Sequence, residues 1–314
     1  MMASLARRTA ILLALLVAVS AIVFAVMNLL PGDPAAVMLG TAARPDTLAA
    51  LRTELGLDQP RVLRWLRWLA GVVHGDFGRS ITYGVPVSDL VAQRLVVTLP
   101  LAASALLLAV GIGLPLGILA ASRRGSPSDH LAAVFAQLGV ALPNFWIGLL
   151  LVLLVSSHLG WLPAGGFPGW SAGASAVSSL ALPTLALALP QAAVLTRVTR
   201  AAVLDTAGED FMRTALAKGL SRRAALLRHG VRNALIPVVT VIGLQFSYLL
   251  AGTVLVENVF ALPGLGQLAY LALQQRDLMT VQAVALLFAG SVVVVNGLVD
   301  LLHLWIDPRL RSQA

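Results

Sequence analysis

The string closest to a reactive site is Gly169-Trp170-Ser171-Ala172-Gly173, a G-x-S-x-G match. In a nucleophile elbow such a string presents a serine for acyl transfer, held between a preceding strand and a following helix. Here it lies in residues 158–178, rich in Gly, Ser and Pro and free of Asp, Glu, Lys and Arg, which reads as a loop. The five histidines (His74, His130, His158, His229 and His303) are scattered, and no H-E-x-x-H string sets two of them on one helix face for zinc. With no cysteine, disulfides, Cys-ligated zinc, haem thiolate and Cys-ligated iron–sulfur sites are excluded. No G-x-x-x-x-G-K-[ST] phosphate loop occurs; Gly111, Gly113 and Gly117 sit in an apolar run that no lysine follows. Asp300, near the end of the last apolar run, reads as interfacial. The apolar runs otherwise hold almost no ionisable group, which argues against a proton-coupled carrier. The chain reads as a non-enzyme that binds no cofactor, so any ATP it depends on is hydrolysed elsewhere.

The elements around these residues are membrane spans. The sequence is 58% hydrophobic and 11% charged, with mean hydropathy +0.88, against about 25% charged residues in a soluble domain. A span needs roughly 20 apolar residues, and runs of that kind fall at about 10–30, 99–122, 131–157, 180–198, 235–256 and 280–302. Arg7 and Arg8 before the first run superficially resemble a signal peptide, but no convincing cleavage signal follows, so the first helix is expected to be retained. The net charge of +8 does not argue for nucleic acid, because most of the excess sits in residues 197–232. Those residues and Arg7–Arg8 place both termini in the cytoplasm under the positive-inside rule.

Residues 35–95 hold seven Arg and five acids and are expected to be folded. Helices are predicted over 45–57, with Asp46 a cap and Gly56 a stop, and over 60–73. The second carries Trp65 and Trp68, which suit either the bilayer interface or a small core. His74 reads as a surface or structural residue. Pro143-Asn144 predicts a kink in the third span. Asn144, Gln245, Ser247 and Asn296 are polar residues within spans. They are candidates to line a translocation path, and helix–helix hydrogen bonds are the plainer alternative.

The most charged stretch runs from Asp205 to Pro237. Eight Arg or Lys lie between Arg197 and Arg232, against three acids. Helices are predicted over 209–218 and 222–232, with Gly219 the breaker and Ser221 the N-cap between them. Leu226, Leu227, Gly230 and Val231 fall close together at helical spacing, with Arg223, Arg228 and Arg232 around them. Such a segment suits a solvated loop that keeps topology, a docking element for a cytoplasmic partner, or a helix on the lipid surface.

This stretch also resembles the "EAA" cytoplasmic loop of ABC importer permeases. Ala215 matches the second alanine, Gly219 the glycine, and Ile236–Pro237 the closing pair, while Arg213 and Thr214 stand where many members carry Glu and Ala. The string R-T-A-L-A-K-G-L at 213–220 resembles the dipeptide, oligopeptide and nickel branch. Further similar strings follow in order: L-P-G-D-P at 30–34, L-G-L-D-Q-P at 55–60, G-D-F-G-R-S at 75–80, G-x-x-L-P-x-F at 139–145, E-N-V-F-A-L-P-G-L-G at 257–266 and D-P-R at 307–309. The resemblance implies an all-α polytopic membrane protein with the type I ABC importer permease fold and six transmembrane helices. It implies an N-terminal transmembrane helix (1–30), an external segment with short helices (31–95), a core of five helices (96–302) and a cytoplasmic tail (303–314). The core includes a cytoplasmic coupling loop (200–233) and an external loop (257–279).

The function so implied is one half of the path of an ATP-driven importer for dipeptides or oligopeptides in the bacterial inner membrane. A nickel-chelate or glutathione importer of the same family is the alternative, and a secondary transporter a more distant one. Implied partners are a second homologous permease, two ATPase subunits or domains that use ATP and Mg, an external substrate-binding protein, and membrane lipid. Coupling to the ATPase would fall to Ala215, Gly219, Arg223, Leu226, Leu227, Arg228 and Val231.

Overall fold

The computed structural model describes residues 2–29, 34–39, 44–54 and 56–306. Most of the L-P-G-D-P string, Leu55, the D-P-R terminus and the side chain of Asp300 lie outside the described residues. The chain is helical almost throughout. The elements are α1 (Met2–Leu29), α2 (Pro34–Leu39), α3 (Pro45–Glu54), α4 (Arg61–Val73), α5 (Val87–Ser122), α6 (Pro127–Ala141) and α7 (Asn144–Leu151), which a π-helical turn (Val152–His158) extends. Then come α8 (Ala174–Thr206), α9 (Asp210–Ala217), α10 (Arg222–Ala225), a π-helical turn (Leu226–Gly230), α11 (Val231–Val259), α12 (Leu265–Gln274) and α13 (Leu278–Ile306).

Five of these helices are long and apolar enough to cross a membrane, and the bent pair α6–α7 makes a sixth if it counts as one span. The protein is therefore a multi-pass, all-α membrane protein. The window of highest hydropathy in α1 averages 3.0 with only 11% of it buried by protein. Such a helix, apolar all round, has lipid as its natural solvent. Contacts gather the chain into two compact units, Met2–Thr98 with Pro263–Val293, and Leu99–Leu262 with Val294–Ala314.

In the first unit, the described residues of the polar segment 35–95 form α2, α3, α4 and the start of α5. At the head of α3, the Thr47 hydroxyl accepts from Arg44 N and donates to Arg44 O. Asp46 lies in the first turn of α3, so it supports the N-terminus by charge. Gly56, at φ +65, follows α3 in the left-handed conformation that glycine adopts without penalty. The two tryptophans of α4 pack on α1: Trp65 Nε1 donates to Ser20 Oγ at 3.2 Å, and the Trp68 and Phe24 rings lie 6.2 Å apart.

The second span helix, α5, begins at Val87, twelve residues ahead of the expected Leu99. Its extra turns bury Val87, Leu90 and Val91 against Leu265, Leu268, Ala283 and Val284. Asp277 is fully buried at the head of α13. Its Oδ1 accepts from Thr280 N (3.2 Å) and Ile81 N (3.3 Å), and its Oδ2 accepts from the Thr280 hydroxyl (2.8 Å), Thr82 N (3.5 Å) and the Ser80 hydroxyl. One carboxylate thus caps a span and anchors a loop almost two hundred residues earlier.

In the second unit, two glycines set the distance between α5 and α8. A Cβ at Gly113 would lie 2.6 Å from Leu195 Cβ, and one at Gly117 2.6 Å from Thr199 Cβ. Small residues at such crossings let helices approach closely where no hydrophobic effect drives them together. The predicted kink at Pro143-Asn144 is a full break. The axes of α6 and α7 differ by 104°, because Leu142 before the proline is extended (φ −93, ψ 127) and Pro143 offers no N–H to continue α6.

The near end of α6 is fixed by a carboxylate missed in the sequence reading. Ser126 N-caps α6, and Asp129 receives Arg200 Nε (2.6 Å), Arg200 Nη2 (2.9 Å) and Gly125 N (2.9 Å). This forked pair ties the short basic turn after α5 to α8. With the Asp129 side chain only 8% exposed, removing Arg200 would strand a nearly buried carboxylate and cost more than breaking an exposed pair, which is worth about 0.2–1 kcal/mol. At the opposite end, Gly166 N donates to Phe260 O at 2.7 Å, joining the uncharged loop 158–173 to the end of α11.

Candidate functional site

The reactive-looking Ser171 is exposed in a single 3-10 turn, Trp170–Ala172, entered from Gly169 at φ +88. Irregular chain stands where a nucleophile elbow would have its strand, and the described residues contain no strand beyond the isolated bridge Arg79–Pro86. Among the described residues no three His, Cys, Asp or Glu side chains could jointly hold a metal.

The charged loop is where the fold builds a site. α9 is amphipathic over two turns: Met212 and Ala215 point into protein while Phe211, Arg213, Thr214 and Leu216 point out. Past α9, Gly219 N donates to Leu216 O (2.9 Å) and Leu220 N to Ala215 O (3.3 Å), with Gly219 at φ +86. This is the glycine-closed helix end, in which a left-handed residue lets the chain turn back over the last carbonyls. Nothing lies within 4 Å of a Cβ placed at Gly219. A side chain there meets no obstruction, so the demand for glycine comes from the backbone.

Ser221 then caps the next helix, accepting from Ala224 N at 3.3 Å, as predicted. That helix does not stop at residue 232. It passes through the π-helical turn Leu226–Gly230 and continues as α11 to Val259, so the segment 222–230 is the first part of a span helix. A local switch to π hydrogen bonding shifts the side-chain register, and such turns recur at functional positions.

The predicted site residues divide into two faces. Ala215 and Leu226 are buried in a cluster with Met212, Ala225, Ala121 of α5, Val203 of α8 and Ala234 of α11, and Val231 packs against it. The Thr206 hydroxyl donates to Gly230 O at 3.4 Å, again joining α8 to the turn. Gly219, Arg223, Leu227 and Arg228 lie outside this cluster and are exposed. Leu227, 48% exposed, is the apolar centre of a face bordered by Arg223 and Arg228. Arg213, at the position of the missing glutamate, is exposed and reaches Asp210 at 3.4 Å.

The polar span residues are less united. Asn144 Oδ1 accepts from Phe145 N at 2.8 Å, so the side chain serves the start of α7, and its amide lies against Gly252 of α11. Gln245 is buried with Nε2 unpartnered, and Ser247 Oγ is likewise buried and unpartnered. Asn296 is half-buried in α13. No hydrogen bond joins any two of these four. Sequence reasoning passed over Asp277 and Asp129. The strings D-L-M-T at 277–280 and S-P-S-D at 126–129 both carry helix-start signals that could have marked them.

Two family descriptions match the chain. Residues 113–312 match "Binding-protein-dependent transport system inner membrane component", and residues 1–102 match the corresponding N-terminal description. Among similar proteins, a putative peptide transport system permease of Brucella abortus is 42% identical over 312 residues, 99% of each chain. A probable peptide ABC transporter permease of Sinorhizobium fredii is 40% identical over 97% of this chain and 98% of its own length. The dipeptide transport system permease of Escherichia coli (strain K12) is 38% identical over 98% of each.

Proposed function

The chain belongs to the family of binding-protein-dependent transport system inner-membrane components, and on that premise we propose that it imports dipeptides or oligopeptides as the permease subunit of an ATP-driven transporter. The observation that carries the substrate class is the similarity, end to end, to permeases named for peptide and dipeptide transport. The chain forms half of the path in the bacterial cytoplasmic membrane. A second homologous permease forms the other half, two ATPase subunits hydrolyse ATP, and an external binding protein delivers the peptide. Residues 1–30 form an N-terminal span, 31–95 an external segment, 96–302 the core and 303–314 the tail, with both termini cytoplasmic.

Coupling runs through the loop at 200–233. Arg223, Leu227 and Arg228 meet the ATPase, and Gly219 sets the angle at which that face is presented. Ala215, Leu226 and Val231 transmit the movement, which the packing of their cluster against α5, α8 and α11 supports. A push on the outer face then moves three spans together instead of one flexible loop. Asn144, Gln245, Ser247 and Asn296 contribute to the path; the two unpartnered groups, on Gln245 and Ser247, are suited to a passing polar substrate.

Vesicles containing this chain, its permease partner and the two ATPases are expected to accumulate a labelled dipeptide only with ATP on the ATPase side and loaded binding protein on the other. Uptake by this chain alone, driven by a proton gradient, would overturn the proposal. Orientation has its own test, convenient in a chain with no cysteine. An Arg223→Cys chain should resist a membrane-impermeant maleimide in intact cells and react once the cells are opened. Labelling from outside would reverse the topology.

A further inference from the structure

The helix α4 and the cavity behind it have no part in peptide passage or coupling as described above. The sequence of α4, R-V-L-R-W-L-R-W-L-A-G-V-V, contains three arginines and no acid. None of its residues is buried, and Val62, Leu66 and Val73 are 67%, 48% and 76% exposed. It packs along the C-terminal half of α1, which is a membrane span. Trp65 bonds Ser20, nine residues before the end of α1, which at 1.5 Å per residue is about 14 Å along that helix. The span portion of α1, Thr9–Leu29, is about as long as the ~30 Å hydrocarbon layer. The same helix lines hollows with Phe24 and Asn28, close to the end of that span, and its exposed apolar and basic side chains suit the membrane interface there.

Two hollows adjoin along α1, sharing Phe24 and Asn28. One, of about 280 Å³, is lined by Ala21, Ala25, Leu29, Val62 and Trp65, with Arg61 in its wall. The other, of about 160 Å³, is lined by Arg64, Arg67, Trp68 and Gln282 among others. Trp68 and Gln282 carry nitrogens, Nε1 and Nε2, that are buried with no hydrogen-bond partner, and Gln282 as a whole is only 5% exposed. Both orphan atoms are donors, and the two guanidinium groups beside them can only donate. Arg67 already spends one N–H on Gln59. Arg64 is stacked 5.9 Å over Phe24, and burial, with the neighbouring charge of Arg61, lowers its pKa. Two buried donors without acceptors, beside half-buried Arg64 and exposed Arg67, are costly until an anion with several acceptor oxygens meets them.

We propose that this pair of hollows binds one anionic glycerophospholipid, its phosphate held by Arg64, Trp68 Nε1 and Gln282 Nε2, and an acyl chain laid in the groove between α1 and α4. The occupant is amphipathic because the donor-lined cavity adjoins an apolar groove along a membrane span. It is anionic because α4 adds three positive charges and no acid.

The probe is phosphatidylglycerol. Full-length protein released from nanodiscs of equal phosphatidylglycerol and phosphatidylcholine is analysed by native mass spectrometry. One phosphatidylglycerol per chain should be retained at roughly tenfold preference, and the double variant Arg61→Gln, Arg64→Gln should reduce that preference to near parity. Gln282→Leu removes an unpartnered donor and breaks no hydrogen bond, so it should fold normally and still lose severalfold in retention. Equal retention of both lipids by the wild type, or unchanged preference in a folded Gln282→Leu chain, would overturn the site. Displacement of the lipid by millimolar glycerol 3-phosphate would make it a site for a soluble anion and overturn the lipid assignment. Weakened capture of the external binding protein with unchanged lipid preference would instead assign α4 to protein docking and overturn it too.

Discussion

A chain carrying Gly219→Val should insert into the membrane normally and lose at least about tenfold in peptide uptake. Gly219 stands at φ +86 between α9 and the helix at Arg222. A β-branched residue held in that region costs of the order of 1–3 kcal/mol. No atom lies near the added Cβ, so the strain is relieved by turning the backbone, and the turn is what orients the face of Arg223, Leu227 and Arg228. A shift there misaligns the outer face while the inner cluster of Met212, Ala215 and Leu226 still holds the loop in place. Tenfold corresponds to about 1.4 kcal/mol, within reach of that strain. Gly219→Asn supplies the control, because asparagine visits the left-handed region far more readily and should keep most of the activity. Normal subunit stoichiometry, substrate-stimulated ATPase rate and uptake in the valine chain would remove Gly219 from coupling. An asparagine chain as impaired as the valine chain would show that the backbone conformation is not the cause.

Asp277→Ala should have the largest structural effect. The carboxylate receives the Ser80 and Thr280 hydroxyls and the amides of Ile81, Thr82 and Thr280. Its loss removes an N-cap, worth about 0.5–2 kcal/mol, and leaves buried donors unmet at about 1–3 kcal/mol each. A net loss of about 3–4 kcal/mol is expected, since some donors will recruit water. Hydrogen exchange in the assembled transporter should then lose roughly two to three decades of protection over residues 80–91 and 278–284, while residues 210–230 keep theirs. Asp277→Asn should fall between, because its amide still offers one acceptor oxygen. Unchanged protection at Ile81 and Thr82 would mean that the first external segment is held by its apolar cluster alone.

How much of this was legible beforehand differs by element. α4 was legible almost to the residue, and α9 with its capped turn nearly so, because Pro60, Gly219 and Ser221 act on their own backbone within a few residues. The trend of the span positions was legible for the same reason: a run without charge is excluded from water whatever it packs against. The break at Pro143 was visible as a position but not as a 104° bend, since proline ends hydrogen bonding without dictating where the next helix points.

By itself, then, the sequence determined an all-α chain threaded repeatedly through lipid, a basic two-helix loop with its turn at Gly219, and the family those strings resemble. The tertiary structure alone decided which way neighbouring side chains face. Leu226 and Leu227 have the same chemistry and adjacent places in a basic helix, yet α5, α8 and α11 cover the first and leave the second exposed. It also decided that Asp277 serves Ser80, and Asp129 serves Arg200. Such choices depend on which surfaces meet after the helices have formed; local propensity ends within a turn or two, while a buried carboxylate must find donors wherever packing brings them.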